Sequence, residues 1–176
     1  MITLILGGNK SGKSDIGLDI LFRSPGPRIM VVTGKALDAD FRDQINRHRL
    51  HRPDGLEVEE ADLELLSSVK RCRRSFGSVL IDSLDFWLYQ IQAEKREGYM
   101  HALLQILEAW TGPRLIFVSC ELGLGPIPAS RETRRFCRDL GALHLRLAAK
   151  SERVCLAVAG YPVHVKGDAP ENRPLG

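Results

Sequence analysis

The feature that most constrains this chain is Gly7-Gly8-Asn9-Lys10-Ser11-Gly12-Lys13-Ser14, placed between a short apolar run at residues 3–6 and an amphipathic stretch beginning at Lys13. It fits G-x-x-x-x-G-K-[ST]. Glycines at these places let the backbone curl until successive N–H groups converge, and a helix starting at Lys13 adds the positive end of its dipole, so the loop is built for an anion. In such a loop residues 7–14 bind a nucleotide, Lys13 reaches its β- and γ-phosphates, and the Ser14 hydroxyl ligates Mg²⁺. The alternative is a glycine-rich turn with no ligand; the strand–loop–helix setting argues against it.

A buried strand that feeds a loop and then a helix belongs to an α/β sheet, and the rest of the chain keeps that rhythm. Residues 3–6, 29–33, 79–82, 115–119 and 154–159 are short, continuous apolar runs rich in β-branched residues, as in strands buried on both faces. Residues 56–60 and 163–166 alternate more and are weaker, edge-like candidates. Helical periodicity predicts Lys13–Phe22, a segment carrying Leu37, Phe41 and Ile45 with Asp38 as a possible cap, residues 63–72, residues 87–110 with a break at Gly98, and Arg131–Lys150. The expected fold is a mostly parallel sheet of about seven strands with helices on both faces. One domain over residues 1–166 is expected, followed by a polar, flexible tail at 167–176.

Composition excludes several classes. The 176 residues suit one domain, with 44% hydrophobic and 27% charged side chains. The formal charge of +3 accommodates small anions without demanding a nucleic acid, and the basic clusters at residues 70–74 and 131–138 lack interleaved aromatics for base stacking. No apolar run has the length of a membrane span, and the first residues lack the basic start and cleavage site of a signal peptide. The scattered Cys72, Cys120, Cys137 and Cys155 read as reduced thiols of a cytoplasmic protein.

A Mg²⁺-nucleotide site needs a carboxylate from another strand, and Val79-Leu80-Ile81-Asp82 supplies one at its end. Asp82 could instead cap the next helix. His48 stands between Arg47 and Arg49, with Arg52 one turn on. Neighbouring cations favour the neutral, nucleophilic imidazole and gather phosphate charge. The structural alternative is that His48 only borders the stripe begun by Ile45, and a metal role with His51 lacks a third ligand.

Further segments complete a resemblance. Thr33, Leu37-Asp38-x-Asp40, Ile45-x-x-His48-Arg49-x-x-Arg52-Pro53 and Glu60 follow the phosphate loop; Glu121-Leu-Gly123-Leu-Gly125-x-Ile-Pro128, Arg135-Phe-Cys-Arg138-Asp139-Leu-Gly141 and Val158-Ala-Gly160 come later. In order and spacing the chain resembles the bifunctional adenosylcobinamide kinase/adenosylcobinamide-phosphate guanylyltransferase family of cobalamin biosynthesis. The resemblance implies a phosphate-loop α/β fold that phosphorylates adenosylcobinamide with ATP or GTP, then moves GMP from GTP through a guanylylated histidine, here His48, to give adenosylcobinamide-GDP. It also implies Mg²⁺, a homotrimer, and Thr33, Arg49, Arg52, Glu60 and Asp82 at the nucleotide. The chain departs from the family pattern at Asp85, Cys120, Ala129, His144 and Leu145. A small-metabolite kinase, or a single-activity or non-catalytic nucleotide-binding homologue, is the alternative reading.

Overall fold

The computed structural model describes residues 1–33 and 56–167. Seven strands form: β1 (Ile2–Gly7), β2 (Arg28–Val32), β3 (Leu56–Glu60), β4 (Ser78–Asp82), β5 (Arg114–Cys120), β6 (Arg153–Val158) and β7 (Tyr161–Lys166). They make one sheet in the order β3-β2-β4-β5-β1-β6-β7. All neighbours are parallel except β6 and β7, which form an antiparallel hairpin. The two weaker, alternating runs are the two edges, where only one neighbour covers the backbone.

Alternate residues of the inner strands enter different cores, as the pleat requires. On one face Leu4, Val31, Ile81, Leu115 and Phe117 pack beneath the described helices α2 (Leu65–Ser75), α3 (Leu84–Ala93), α4 (Tyr99–Glu108) and α5 (Arg131–Lys150), around the fully buried Trp87. On the other, Ile5, Met30, Val32, Leu80, Ile116 and Val118 pack with Ile16, Leu18 and Leu21 of α1 (Lys13–Phe22). Helices therefore lie on both faces, and all five apolar runs expected as buried strands are strands.

Two helix expectations shift at their ends. The stretch expected at 63–72 begins as a 3-10 turn, Asp62–Glu64, where Asp62 has φ 40, and becomes α-helical only over Leu65–Ser75. The stretch at 87–110 is two helices. The first ends at Ala93, where Lys95 follows with φ 51, and Gly98, with φ 80, takes the left-handed conformation that starts the next. The predicted helix around Leu37, Phe41 and Ile45 lies outside the described residues, as do 168–176 of the expected tail.

Candidate functional site

The C-terminal ends of the parallel strands meet along one edge of the sheet, the usual place for a ligand in such folds. Gly7 closes β1 and the chain turns through residues 8–12 into α1. Gly12 occupies the cap position with φ 89, and its carbonyl accepts the first helical hydrogen bond from Ile16 N–H at 3.0 Å. A side chain at Gly12 would meet more than backbone strain, because its Cβ would sit 2.9 Å from Gly160 Cα. Gly160, at the tip of the β6–β7 hairpin, donates its N–H to the Ser11 carbonyl at 2.9 Å. The phosphate loop is thus braced from behind by a hairpin far along the chain. Lys13 Nζ donates to the Gly8 carbonyl at 2.6 Å, which curls the ammonium over the loop.

Under this loop the hydroxyl of Ser14 hydrogen-bonds the buried carboxyl of Asp82. Burial pushes the Asp82 carboxyl up to about 6; Asp85 and Asp15 add repulsion, while Ser14 and Lys13 oppose the rise. Asp82 does not cap the next helix: Ser83 holds the cap position, and no side chain bonds there. Ser14 and Asp82, both expected beside a metal, thus lie within reach of each other. Their hydroxyl and carboxylate oxygens are hard donors of the kind Mg²⁺ takes, and a buried carboxylate of raised proton affinity is suited to a cation. Among the described residues no group of three His, Cys, Asp or Glu side chains forms a metal cage.

Thr33 is fully buried, and its hydroxyl serves the backbone of the residue after Asp82. Thr33 Oγ1 donates to the Ser83 carbonyl and accepts from Ser83 N–H at 3.1 Å, while the Thr33 N–H bonds the Asp82 carbonyl at 3.0 Å. Glu60 is exposed at the end of β3, across β2 from Asp82 and on the same sheet edge. His48, Arg49 and Arg52 lie outside the described residues.

A polar cluster beside the loop escaped the sequence reading as a unit. Glu121 N–H donates to the Gly7 carbonyl at 2.8 Å, so the chain leaving β5 is tied to the start of the phosphate loop. Asp85, in the first turn of α3, accepts from Cys120 N–H at 2.9 Å. His144 of α5 is buried, with Nε2 2.7 Å from Ser119 Oγ and Nδ1 3.3 Å from Glu121 Oε2. Burial lowers the His144 pKa against the pull of Glu121 and Asp85, which keeps the ring neutral. Asp85, Cys120 and His144 are three of the places where the chain departs from the family pattern, and they share one neighbourhood. The available signal was periodicity: Ser119 and Glu121 are two apart in an extended segment, and His144 falls among Leu140, Leu143 and Leu147 on the buried stripe of α5.

A glycine-rich loop joining the first strand to the first helix, with an acid from a strand one place removed across β5, defines the phosphate-loop α/β nucleotide-binding class. A KaiC-like protein from the hyperthermophilic archaeon Pyrococcus horikoshii OT3 shares this fold, with TM-score 0.54 and 13% identity over 88% of this chain and 69% of that one. The chain belongs to the cobinamide kinase / cobinamide phosphate guanyltransferase family, which it matches over residues 3–165. It is similar to the bifunctional adenosylcobalamin biosynthesis protein CobP of Pseudomonas aeruginosa, at 33% identity over 96% of this chain and 99% of that protein. It is also similar to the bifunctional adenosylcobalamin biosynthesis protein CobU of Escherichia coli K12, at 25% identity over 94% of this chain and all of that protein.

Proposed function

We propose that this protein, as one domain over residues 1–166, phosphorylates cobinamide (as adenosylcobinamide) and then joins a guanylyl group to the phosphorylated product. The observation that supports this best is the Ser14–Asp82 pair beneath a braced phosphate loop, in a chain that matches the family over residues 3–165. ATP or GTP is the phosphoryl donor and GTP the guanylyl donor. Residues 7–14 hold the triphosphate through backbone N–H groups, and Lys13 exchanges the Gly8 carbonyl for phosphate oxygens. Ser14 and Asp82 are the residues that would hold Mg²⁺. Bound there, it would shield the charge that collects on the leaving oxygens. Thr33 contributes by fixing Ser83, and with it the backbone that carries Asp82.

In the first reaction the acceptor hydroxyl loses its proton and forms a P–O bond to the γ-phosphorus as the β–γ bridge breaks. In the second, an imidazole nitrogen of His48 forms a P–N bond to the α-phosphorus of GTP and pyrophosphate leaves. The phosphate oxygen of the acceptor then takes the guanylyl group and frees His48. Arg49, Arg52 and Glu60 line the nucleotide. A homotrimer in the cytoplasm is the setting the family resemblance favours; among the described residues no helix is long and apolar enough to cross a membrane.

Labelled GTP tests this reading. Label in the α-phosphate should stay on the denatured protein through an acid-labile, base-stable bond, and γ-label should pass to cobinamide or leave with pyrophosphate. His48→Asn should lose the retained label and keep phosphorylation of cobinamide. Retained label in that variant, or label mapped to His51 or Ser14, refutes the histidine assignment.

A further inference from the structure

We propose that the loop of residues 121–130 is the platform on which the corrin ring of cobinamide rests while its hydroxyl faces the phosphate loop; this rests on the functional reading above. The position comes first. The loop leaves β5 at Glu121, whose N–H is bonded to Gly7 O, so it starts against the first carbonyl of the phosphate loop. An acceptor whose hydroxyl reaches a phosphate held by this loop can lay the rest of its molecule on such a segment.

The composition comes second. Residues 122–130 carry no charged side chain, which suits neither a triphosphate nor a nucleic acid. Exposed loops ordinarily present polar groups to water, yet Leu124 is 76% and Ile127 86% exposed, with Leu122 beside them at 39%. The loop is also anchored at both ends. Glu121 Oε1 accepts Gly123 N–H at 2.7 Å while its other oxygen faces His144, and Arg134 Nη1 donates to the carbonyls of Pro128 and Ala129 at 2.9 and 2.6 Å. Two prolines and these anchors hold apolar side chains outward at little further cost in order on binding. A large ring whose one positive charge is enclosed at its metal centre, and whose face bears methyl groups, matches that surface. Its peripheral amides can bond the exposed backbone between Gly123 and Gly125.

The test uses the full chain with Leu124→Ser and Ile127→Ser together, both at exposed positions. At saturating nucleotide the KM for cobinamide should rise at least tenfold, or about 1.4 kcal/mol. The kcat, GTP affinity by titration and the association state by sedimentation should not change. In a Leu124→Trp variant, cobinamide should quench the added emission, because a corrin absorbs where tryptophan emits, and GTP should not. An unchanged KM, an unquenched tryptophan, or a changed association state, which would make the loop a contact between copies, overturns the platform. If the unaltered protein does not phosphorylate cobinamide, the functional reading falls and takes the platform with it. Turnover with an unchanged KM removes the platform alone.

Discussion

Replacing Asp82 by Asn should make the ligand-free protein more stable and, at the same time, inactive. The Asp82 carboxyl titrates near 6 in the fold against an ordinary 3.8, chiefly because burial penalises its charge. Between those two pH values the folded chain holds more protons than the unfolded one, so stability falls as pH rises, and the cost is complete above about pH 6. A gap of about two pH units corresponds to about 3 kcal/mol. Asn carries no such charge. It offers the Ser14 hydroxyl a weaker acceptor, which returns about 1 kcal/mol, so the net gain at pH 7 is about 2 kcal/mol. For a chain of this size that raises Tm by about 4–8 °C. Denaturant titrations of both proteins from pH 4 to 8, without nucleotide or Mg²⁺, give the difference curve directly. It should be flat above about pH 7 and shrink steadily as pH falls to about 4, with effects of all other groups cancelling. Parallel curves at every pH, or a variant less stable at pH 7, would refute the claim that Asp82 is held as a costly buried anion. Such a cost is what a site selected for a cation and phosphate, and not for stability, is expected to carry.

The remaining predictions concern the loop and its supports. Gly12→Ala places a Cβ at φ 89 and 2.9 Å from Gly160 Cα, so it should lose about 1–3 kcal/mol in chemical denaturation and weaken nucleotide binding in titration calorimetry. Lys13→Ala should stay within about 0.5 kcal/mol of the original stability, since its amine lies on an exposed carbonyl, while GTP affinity and both activities collapse. His144→Leu leaves Ser119 and Glu121 without their ring partner and should cost about 2 kcal/mol at pH 7. That deficit should narrow as pH falls below about 6.5, because the fold depresses the His144 pKa and the unaltered protein itself loses stability there; thermal melts at pH 7.5 and 5 measure both values.

Much of this architecture was legible along the chain. The inner strands announced themselves because a strand buried on both faces is apolar along its middle, as Val79, Leu80 and Ile81 are within Ser78–Asp82, whose five residues are all buried. The edges β3 and β7 were fainter because one side of each faces water. Helix ends were less legible: the turn at Asp62–Glu64 and the break before Tyr99 depend on left-handed backbone that composition marks at Gly98 and not at Asp62. The departures from the family pattern at Asp85, Cys120 and His144 were visible one by one. That they gather around Glu121 was not.

By itself the sequence determined the phosphate loop, the strands and the helices that follow them, and the end of β4 as the source of a carboxylate. These depend on neighbours in the chain: a run of glycines sets local backbone freedom, and periodic apolar side chains set which face is buried. Only the tertiary structure decided that Asp82 meets Ser14, that the Gly160 hairpin braces Ser11, and that His144 joins Ser119 to Glu121. Those pairs are remote in sequence, and each exists because the order β4-β5-β1-β6 lays the strand ends side by side along one edge. That order is chosen by how helices pack on both faces of the whole sheet, a long-range balance of buried surface that no local pattern encodes.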